Sequence, residues 1–333
     1  MSTERIRTAT RPIRVGVIGV GAMGENHTRV YSELRAVDLV GVTDHDTEVA
    51  RRVADEYGTE AMSVDALLDR CDAVTVAVPT HAHHETVLRC LDAGVHVLVE
   101  KPIAETAEQG RAMAERARDA GLVLQVGHIE RFNPAVRTVN ELIDDLDIIS
   151  LEAERLGPPI DRTAPGNVVF DLMVHDVDIV ASLLGTGPES MTAMGTDDGR
   201  YATATMEYDD IVTTLTASRV TQKKVRRLTV TARECLVEVD YLQQSVLIHR
   251  DSYPEYLTDD GQRRYRHESV VERPRVDNGE PLRHELESFV ESIQTGTEPE
   301  VTAEDGVTAL ETVKRIDAHV SGERPRRERE VEA

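Results

Sequence analysis

From residue 13 to 127 the chain alternates short, near-continuous apolar runs with longer amphipathic stretches, and this alternation restricts the fold more than any other feature. The runs are IRVGVIG (13–19), LVGVTD (39–44), AVTVAVP (73–79), VHVLVE (95–100) and LVLQVG (122–127). Val, Ile and Leu without polar alternation suit strands covered on both faces, as in a parallel sheet. Between them MGENHTRVYSELR, TEVARRVADEY, HETVLRCLDAG and TAEQGRAMAERARDAG have helical spacing, with Gly94 and Gly121 where C-caps belong. Strand, helix, strand in this order predicts right-handed crossovers and a doubly wound α/β sheet.

After about residue 128 the texture changes. LEAERLG, YATATMEY, IVTTLTASRV, RLTVTARECLVEVDY and SVLIHR are β-branched and often alternating, with turn-like DDGR and YDD between strands. That spacing predicts a second, α+β domain built on a large, mostly antiparallel open sheet with one covered face. A helix over 168–184 ends at Gly185, and two more are expected near 281–295 and 303–320. The domains are expected at 1–128 and 129–333, with a solvated, frayed tail at 323–333.

Charge narrows the partners. The chain of 333 residues carries 61 Asp plus Glu against 38 Lys plus Arg, a net −23. Such a surface repels nucleic acid and anionic membranes, so neither is an expected partner. It suits a salt-rich, halophilic cytoplasm in which screening suppresses self-repulsion, although genomic bias toward Arg and acids gives the same composition. Only Lys101, Lys223, Lys224 and Lys314 are lysines. Cys71, Cys90 and Cys235 are far apart and odd in number, which fits a reducing cytoplasm rather than a disulfide framework. No apolar run reaches membrane-span length, and MSTERIRTAT lacks a signal-peptide core.

Gly19-Val20-Gly21-Ala22-Met23-Gly24 is GxGxxG, and here it follows a strand and opens a helix, which gives the pattern its meaning. The first glycine permits a tight turn, the second lets a pyrophosphate approach the backbone, and the third allows close helix packing. Asp44 closes the second strand, where a carboxylate accepts from both ribose hydroxyls and repels a 2′-phosphate. NAD is therefore expected over NADP, with Arg51 and Arg52 the nearest cations able to fold back toward a phosphate.

Lys101, in Glu100-Lys101-Pro102, ends the fourth strand, on the edge where open parallel sheets bind ligands. Its ammonium can donate to a substrate hydroxyl and exchange a proton, or it can be a solvated strand-end residue. Asp171 and His175, four apart in NVVFDLMVHDVDIVASLL, share a helix face with Asp178 three further on. A carboxylate beside an imidazole suits a base that takes a hydroxyl proton, and equally suits a surface pair. His81, His83, His84 and Cys90 match no zinc spacing, so no metal is expected, and His83 is placed near a nicotinamide. Arg131 and Asn133 follow the fifth strand. Arg131 is the candidate cation for a substrate phosphate, with an interdomain ion pair as the alternative.

Together GVIGVGAMGENH, TVAVPTHAHH, AGVHVLVEKPIA, GHIERFNPAV, FDLMVHDVD and PLRHELESFVESI resemble the Gfo/Idh/MocA oxidoreductases over nearly the whole chain. The resemblance implies NAD(P)-linked oxidation of sugar, inositol or nucleotide-sugar hydroxyls, and a C-terminal open sheet that often forms a homo-oligomer interface. It implies Lys101 and His175 as proton-handling residues with Asp171 supporting His175, and a pyrophosphate held by Gly19 to Gly24. Asp44 is implied at the adenosine ribose, and Pro79, Thr80 and Glu100 on the nicotinamide side. GHIERFNPAV and GNVVFDLMVHDVDIV are most similar to the UDP-N-acetylglucosamine 3-dehydrogenases of that family. The expected substrate is accordingly a UDP-sugar, contacted by Lys101, Arg131, Asn133, Asp171 and His175. One departure is NVVFD, where many members carry a glycine-rich GGGxLLD segment. The alternatives are an inositol or monosaccharide dehydrogenase, and a non-enzymatic NAD-binding redox sensor; loss of the lysine or the histidine would mark the sensor, and both are present.

Overall fold

The computed structural model describes residues 11–159, 167–196, 198–251 and 269–322, and the backbone of 255–259 and 262–266. The tail at 323–333 lies outside them. The chain divides into two compact units, one running to Phe132 and resumed at Glu280–Leu310, the other formed by Asn133–Gly279 and the residues from Glu311.

The first unit contains β1 (Ile13–Ile18), α1 (Ala22–Glu33), β2 (Val37–Thr43), α2 (Thr47–Tyr57) and α3 (Val64–Leu68). It continues with β3 (Ala73–Val76), α4 (His83–Asp92), β4 (His96–Glu100), α5 (Ala107–Ala120) and β5 (Leu124–Gly127). The strands pair in parallel in the order β2-β1-β3-β4-β5. The order reverses between β1 and β3, the switch point at which open α/β sheets leave a crevice. All four residues of β3 are buried, as are Val15, Val17, Val97, Leu98 and Val99, in keeping with their unbroken apolar runs. Local signals set the helix ends. Asp46 accepts from Glu48 N and Val49 N to start α2, Thr106 and Gln109 form a capping box on α5, and Gly121 ends α5 in the left-handed region.

The second unit contains α6 (Pro134–Asn140), β6 (Ile148–Leu156), a π-turn at Val169–Met173 leading into α7 (Val174–Leu184), and β7 (Ser190–Gly195). Then follow β8 (Tyr201–Tyr208), β9 (Ile211–Ser218), β10 (Val225–Ala232), β11 (Leu236–Asp240), β12 (Ser245–Asp251), β13 (Glu255–Asp259), β14 (Gln262–Arg266) and β15 (Ser269–Glu272). Eight strands form one sheet in the order β15-β12-β11-β10-β6-β9-β8-β7, antiparallel except for β6 with β9. Burial alternates along β8, with Ala202, Ala204, Met206 and Tyr208 inward and Thr203, Thr205 and Glu207 between them. On the covered face Arg155 of β6 grips Asp176 of α7 side-on, at 2.7 and 2.9 Å, with the two side chains 3% and 2% exposed. The same guanidinium lies 5.6 Å from the centre of the Tyr241 ring.

The last helices are α8 (Pro281–Thr295) and α9 (Ala303–Val320). Here the linear division at 128/129 needs correcting. The break falls at Phe132/Asn133, and Glu280–Leu310 rejoins the first unit. The reason is packing: Leu282, Leu286, Phe289 and Val290 lie on one face of α8 and share a core with Val15, Val17, Tyr31 and Leu98. A parallel sheet needs both faces covered, and α8 supplies cover that the first 128 residues do not.

The Arg155–Asp176 pair gives a direct test of the second unit. Asp176→Asn leaves a guanidinium buried beside a neutral partner and should lower stability by about 3–5 kcal/mol in denaturant unfolding. Asp147→Asn, at the exposed Arg233–Asp147 pair, should change it by no more than about 1 kcal/mol.

Candidate active site

The glycine turn after β1 is built by exclusion. Gly19 has φ +86°, and a Cβ there would come within 2.8 Å of the Ala77 backbone. A Cβ on Gly24 would fall 1.8 Å from the Gly19 carbonyl oxygen, so α1 can pack this close only with glycine. Gly21 differs: a Cβ there would meet no described atom within 4 Å, leaving its backbone open to an approaching group. The N-terminus of α1 has no side-chain cap, so its first-turn N–H groups point toward the same opening. Val20 is fully buried, whereas Ala22 and Met23 are exposed.

Asp44 stands at the end of β2 with both oxygens oriented by backbone. Oδ2 accepts from Val20 N at 2.8 Å and Oδ1 from Asp46 N at 2.9 Å, while His45 Nδ1 lies 2.8 Å from Oδ1. Arg52 is held away by Glu25 and Glu56. A cavity of about 900 Å³ takes in Gly19, Gly21, Asp44, Val78 and Pro79. Open Gly21, an uncapped helix start and a fixed carboxylate fit the pyrophosphate and the adenosine ribose of NAD.

Two strands further along the sheet, Lys101 follows β4 and is joined to Pro102 by a cis peptide bond. Behind it lies a buried pair that sequence reasoning missed: His27 Nε2 is 2.8 Å from Glu100 Oε1, and His27 is fully buried. Burial pushes the Glu100 carboxyl up, but the His27 hydrogen bond and the charges of His27 and Lys101 outweigh it and hold the group below the usual carboxylate range. Glu100 is thus an internal anion beside Lys101 and faces the protein interior. A histidine on the buried side of α1, four residues before Tyr31, was the available signal.

His83 is also turned inward. It is 1% exposed, with Nδ1 2.9 Å from Pro102 O and Nε2 2.8 Å from Val78 O, so the ring is occupied by backbone where a nicotinamide contact was expected. Thr80 is half-buried at the start of the short 3₁₀ turn before α4. Two expected substrate residues also need correcting. Arg131 is paired with Asp305 at 3.3 Å and its side chain is 10% exposed, which makes it an ion pair within the first unit rather than an open cation. Asn133 is buried, accepts from Ala135 N to cap α6, and donates to Tyr241 O. In both, a polar side chain after the fifth strand satisfies neighbouring structure.

In the second unit Asp171 lies in the π-turn and His175 in the first turn of α7, both half-buried. Single π-turns within helices recur at functional sites. Asn167 holds the start of this turn: its Oδ1 accepts from Val169 N at 2.9 Å, and its Nδ2 donates to Asp317. Arg219, just past β9, was also missed. Its Nη2 is 2.9 Å from Asp171 Oδ2, with the side chain 11% exposed. Asp171 therefore meets a guanidinium as well as sharing a helix face with His175.

Comparison with known proteins agrees with this geometry. A model described as an oxidoreductase family with an NAD-binding Rossmann fold matches residues 13–128, and one for the Gfo/Idh/MocA C-terminal domain matches 152–237. The UDP-N-acetylglucosamine 3-dehydrogenase of Acidithiobacillus ferrooxidans is 37% identical over 243 residues, covering 71% of this chain and 77% of that protein. An inositol 2-dehydrogenase of Rhizobium meliloti is 30% identical over 318 residues, covering 90% and 94%. A solved structure of the Acidithiobacillus enzyme aligns with a TM-score of 0.82 at 32% identity, covering 94% of this chain and 99% of that one.

The glycines separate folding from binding. Gly21→Ala should unfold at the wild-type temperature, because its methyl meets no protein atom, yet weaken NADH roughly tenfold or more in a binding titration. Gly24→Ala should lose about 1–3 kcal/mol of stability, because its methyl overlaps the Gly19 carbonyl.

Proposed function

Because this chain belongs to the Gfo/Idh/MocA family of NAD-binding oxidoreductases, we propose that it oxidises a secondary hydroxyl on a sugar ring, with the 3-hydroxyl of UDP-N-acetylglucosamine as the first candidate. The observation that carries the reading is the strand edge of the first unit, where Gly21, Asp44 and Lys101 follow β1, β2 and β4 of one parallel sheet. NAD, when bound, supplies the hydride acceptor. Asp44, by accepting from the ribose, favours NAD over NADP.

The remaining roles belong to side chains. The Lys101 ammonium donates to the oxygen of the reacting hydroxyl and stabilises negative charge that develops there. His175 takes the hydroxyl proton on its imidazole, and Asp171 supports the cation that results. Arg219, with Nη2 2.9 Å from Asp171 Oδ2, sets a guanidinium against that carboxylate. The 37% identical relative supports the nucleotide-sugar choice. A second reading, a free inositol or monosaccharide, is favoured by Arg131, whose charge is already matched by Asp305.

The chain is expected to work in a salt-rich cytoplasm, where its three free, buried cysteines stay reduced. Among the described residues no helix is long and apolar enough to cross a membrane. The open face of the eight-stranded sheet, with Val212 half exposed and threonines around it, is the proposed contact between copies in a homo-oligomer.

A panel of UDP-sugars, inositols and aldoses, followed by nicotinamide absorbance in molar potassium chloride with a ketone trap, tests the assignment. Turnover of UDP-N-acetylglucosamine alone is expected. Turnover of myo-inositol with no UDP-sugar would replace the nucleotide-sugar choice, and silence across the panel would favour a redox sensor. Lys101→Met and His175→Asn should each lower kcat by about 10²–10⁴-fold, with NADH affinity within about twofold of wild type.

A further inference from the structure

We propose that His83 is a positioning residue for the nicotinamide half of the cofactor, acting through the two turns it ties together. β3 and β4 are neighbours in register, Val76 opposite Val99, so their following turns leave the sheet side by side. Those turns carry Val78–Pro79 and Lys101–Pro102. Pro79 and Pro102 have no N–H, which leaves the turns short of backbone donors with which to fix each other. His83, the first residue of α4, fills that gap. Its buried ring places Nε2 2.8 Å from Val78 O and Nδ1 2.9 Å from Pro102 O, one nitrogen for each turn. A neutral ring donates to one carbonyl and a charged ring to both; in either state the ring fills the space between them.

Strand order says which part of the ligand depends on this link. Asp44 on β2 takes the adenosine ribose and the turn after β1 takes the pyrophosphate. In the order β2-β1-β3-β4, continuing away from β2 leads to β3 and β4. The two tied turns therefore wall the nicotinamide end, and one of them carries Lys101. His83 touches neither cofactor nor substrate in this account. It sets the spacing of Val78–Pro79 against Lys101–Pro102. The inference needs only that NAD binds; it stands whichever alcohol is oxidised.

Calorimetric titration of His83→Leu and His83→Gln with NADH and with ADP-ribose, which lacks the nicotinamide, separates positioning from folding. NADH Kd should rise about tenfold or more in His83→Leu, which removes the ring that links the Val78 and Pro102 carbonyls, while ADP-ribose Kd stays within about twofold of wild type. His83→Gln, whose amide can serve one carbonyl, should recover part of the NADH affinity. NADH affinity within twofold of wild type in both variants would overturn the proposal. So would equal losses of NADH and ADP-ribose, which would make the ring a brace for the whole unit.

Discussion

Parallel pairing in the five-stranded sheet is the constraint on which the cofactor half of the site depends. Because β1 to β5 all run the same way, every strand delivers its carboxyl end to one edge. Gly19, Asp44, Val78 and Lys101 are far apart in the chain, yet each follows one of those strands. The crossover helices that permit this pairing must then be packed on both faces, which brings α8 back from residue 281 to finish the core. A change that loosens α8 is thus a change to the sheet whose edge we propose for the cofactor, although no residue of α8 belongs to that edge.

In the second unit the equivalent ordering force is buried charge. Arg155 meets Asp176 with Nε and Nη2 on separate oxygens, a complete side-on pair that fixes α7 against β6. Arg219 places Nη2 2.9 Å from Asp171 Oδ2, and its Nε has no hydrogen-bond partner among the described residues. The first arrangement is a closed structural bond, since both carboxylate oxygens are spent on it. The second sets a guanidinium against the carboxylate of the π-turn that precedes α7. Acid–arginine contacts thus secure both α7, through Asp176, and the π-turn before it, through Asp171.

The sequence was most legible where a local rule fixes the answer. Unbroken Val and Ile runs require burial on both faces, GxGxxG needs its strand and helix, and Gly121 and Gly185 end helices by left-handed geometry. Asp44 and Lys101 follow from strand ends alone. What could not be read were partners set by tertiary contact. The amphipathic pattern of α8 shows that it has an apolar face but not which sheet that face covers. Arg131 reads as a cation in a useful place until Asp305, 174 residues away, neutralises it. His27 and Glu100 are 73 apart, Arg219 and Asp171 are 48 apart, and no spacing rule links either pair. His83 reads as a nicotinamide neighbour in the sequence, whereas in the fold its two ring nitrogens lie 2.9 and 2.8 Å from the Pro102 and Val78 carbonyl oxygens.

A chain of net charge −23 repels an anionic cofactor at long range, and the site answers this at short range. The described arginines near the dinucleotide turn are paired with acids: Arg52 with Glu25 and Glu56, Arg29 with Glu33 and Glu280, Arg89 with Asp65. In the proposed site, attraction for the pyrophosphate therefore rests on fixed N–H groups at the start of α1, whose partial charges are aimed and need no mobile side chain. Such contacts act within a few ångströms, whereas the repulsion from distant carboxylates acts over the screening length. At molar salt that length falls to about 3 Å, so the distant charges fade while the aimed dipoles keep their hold. A site built from backbone donors is in this sense the form of anion recognition that an acidic surface in concentrated salt leaves intact.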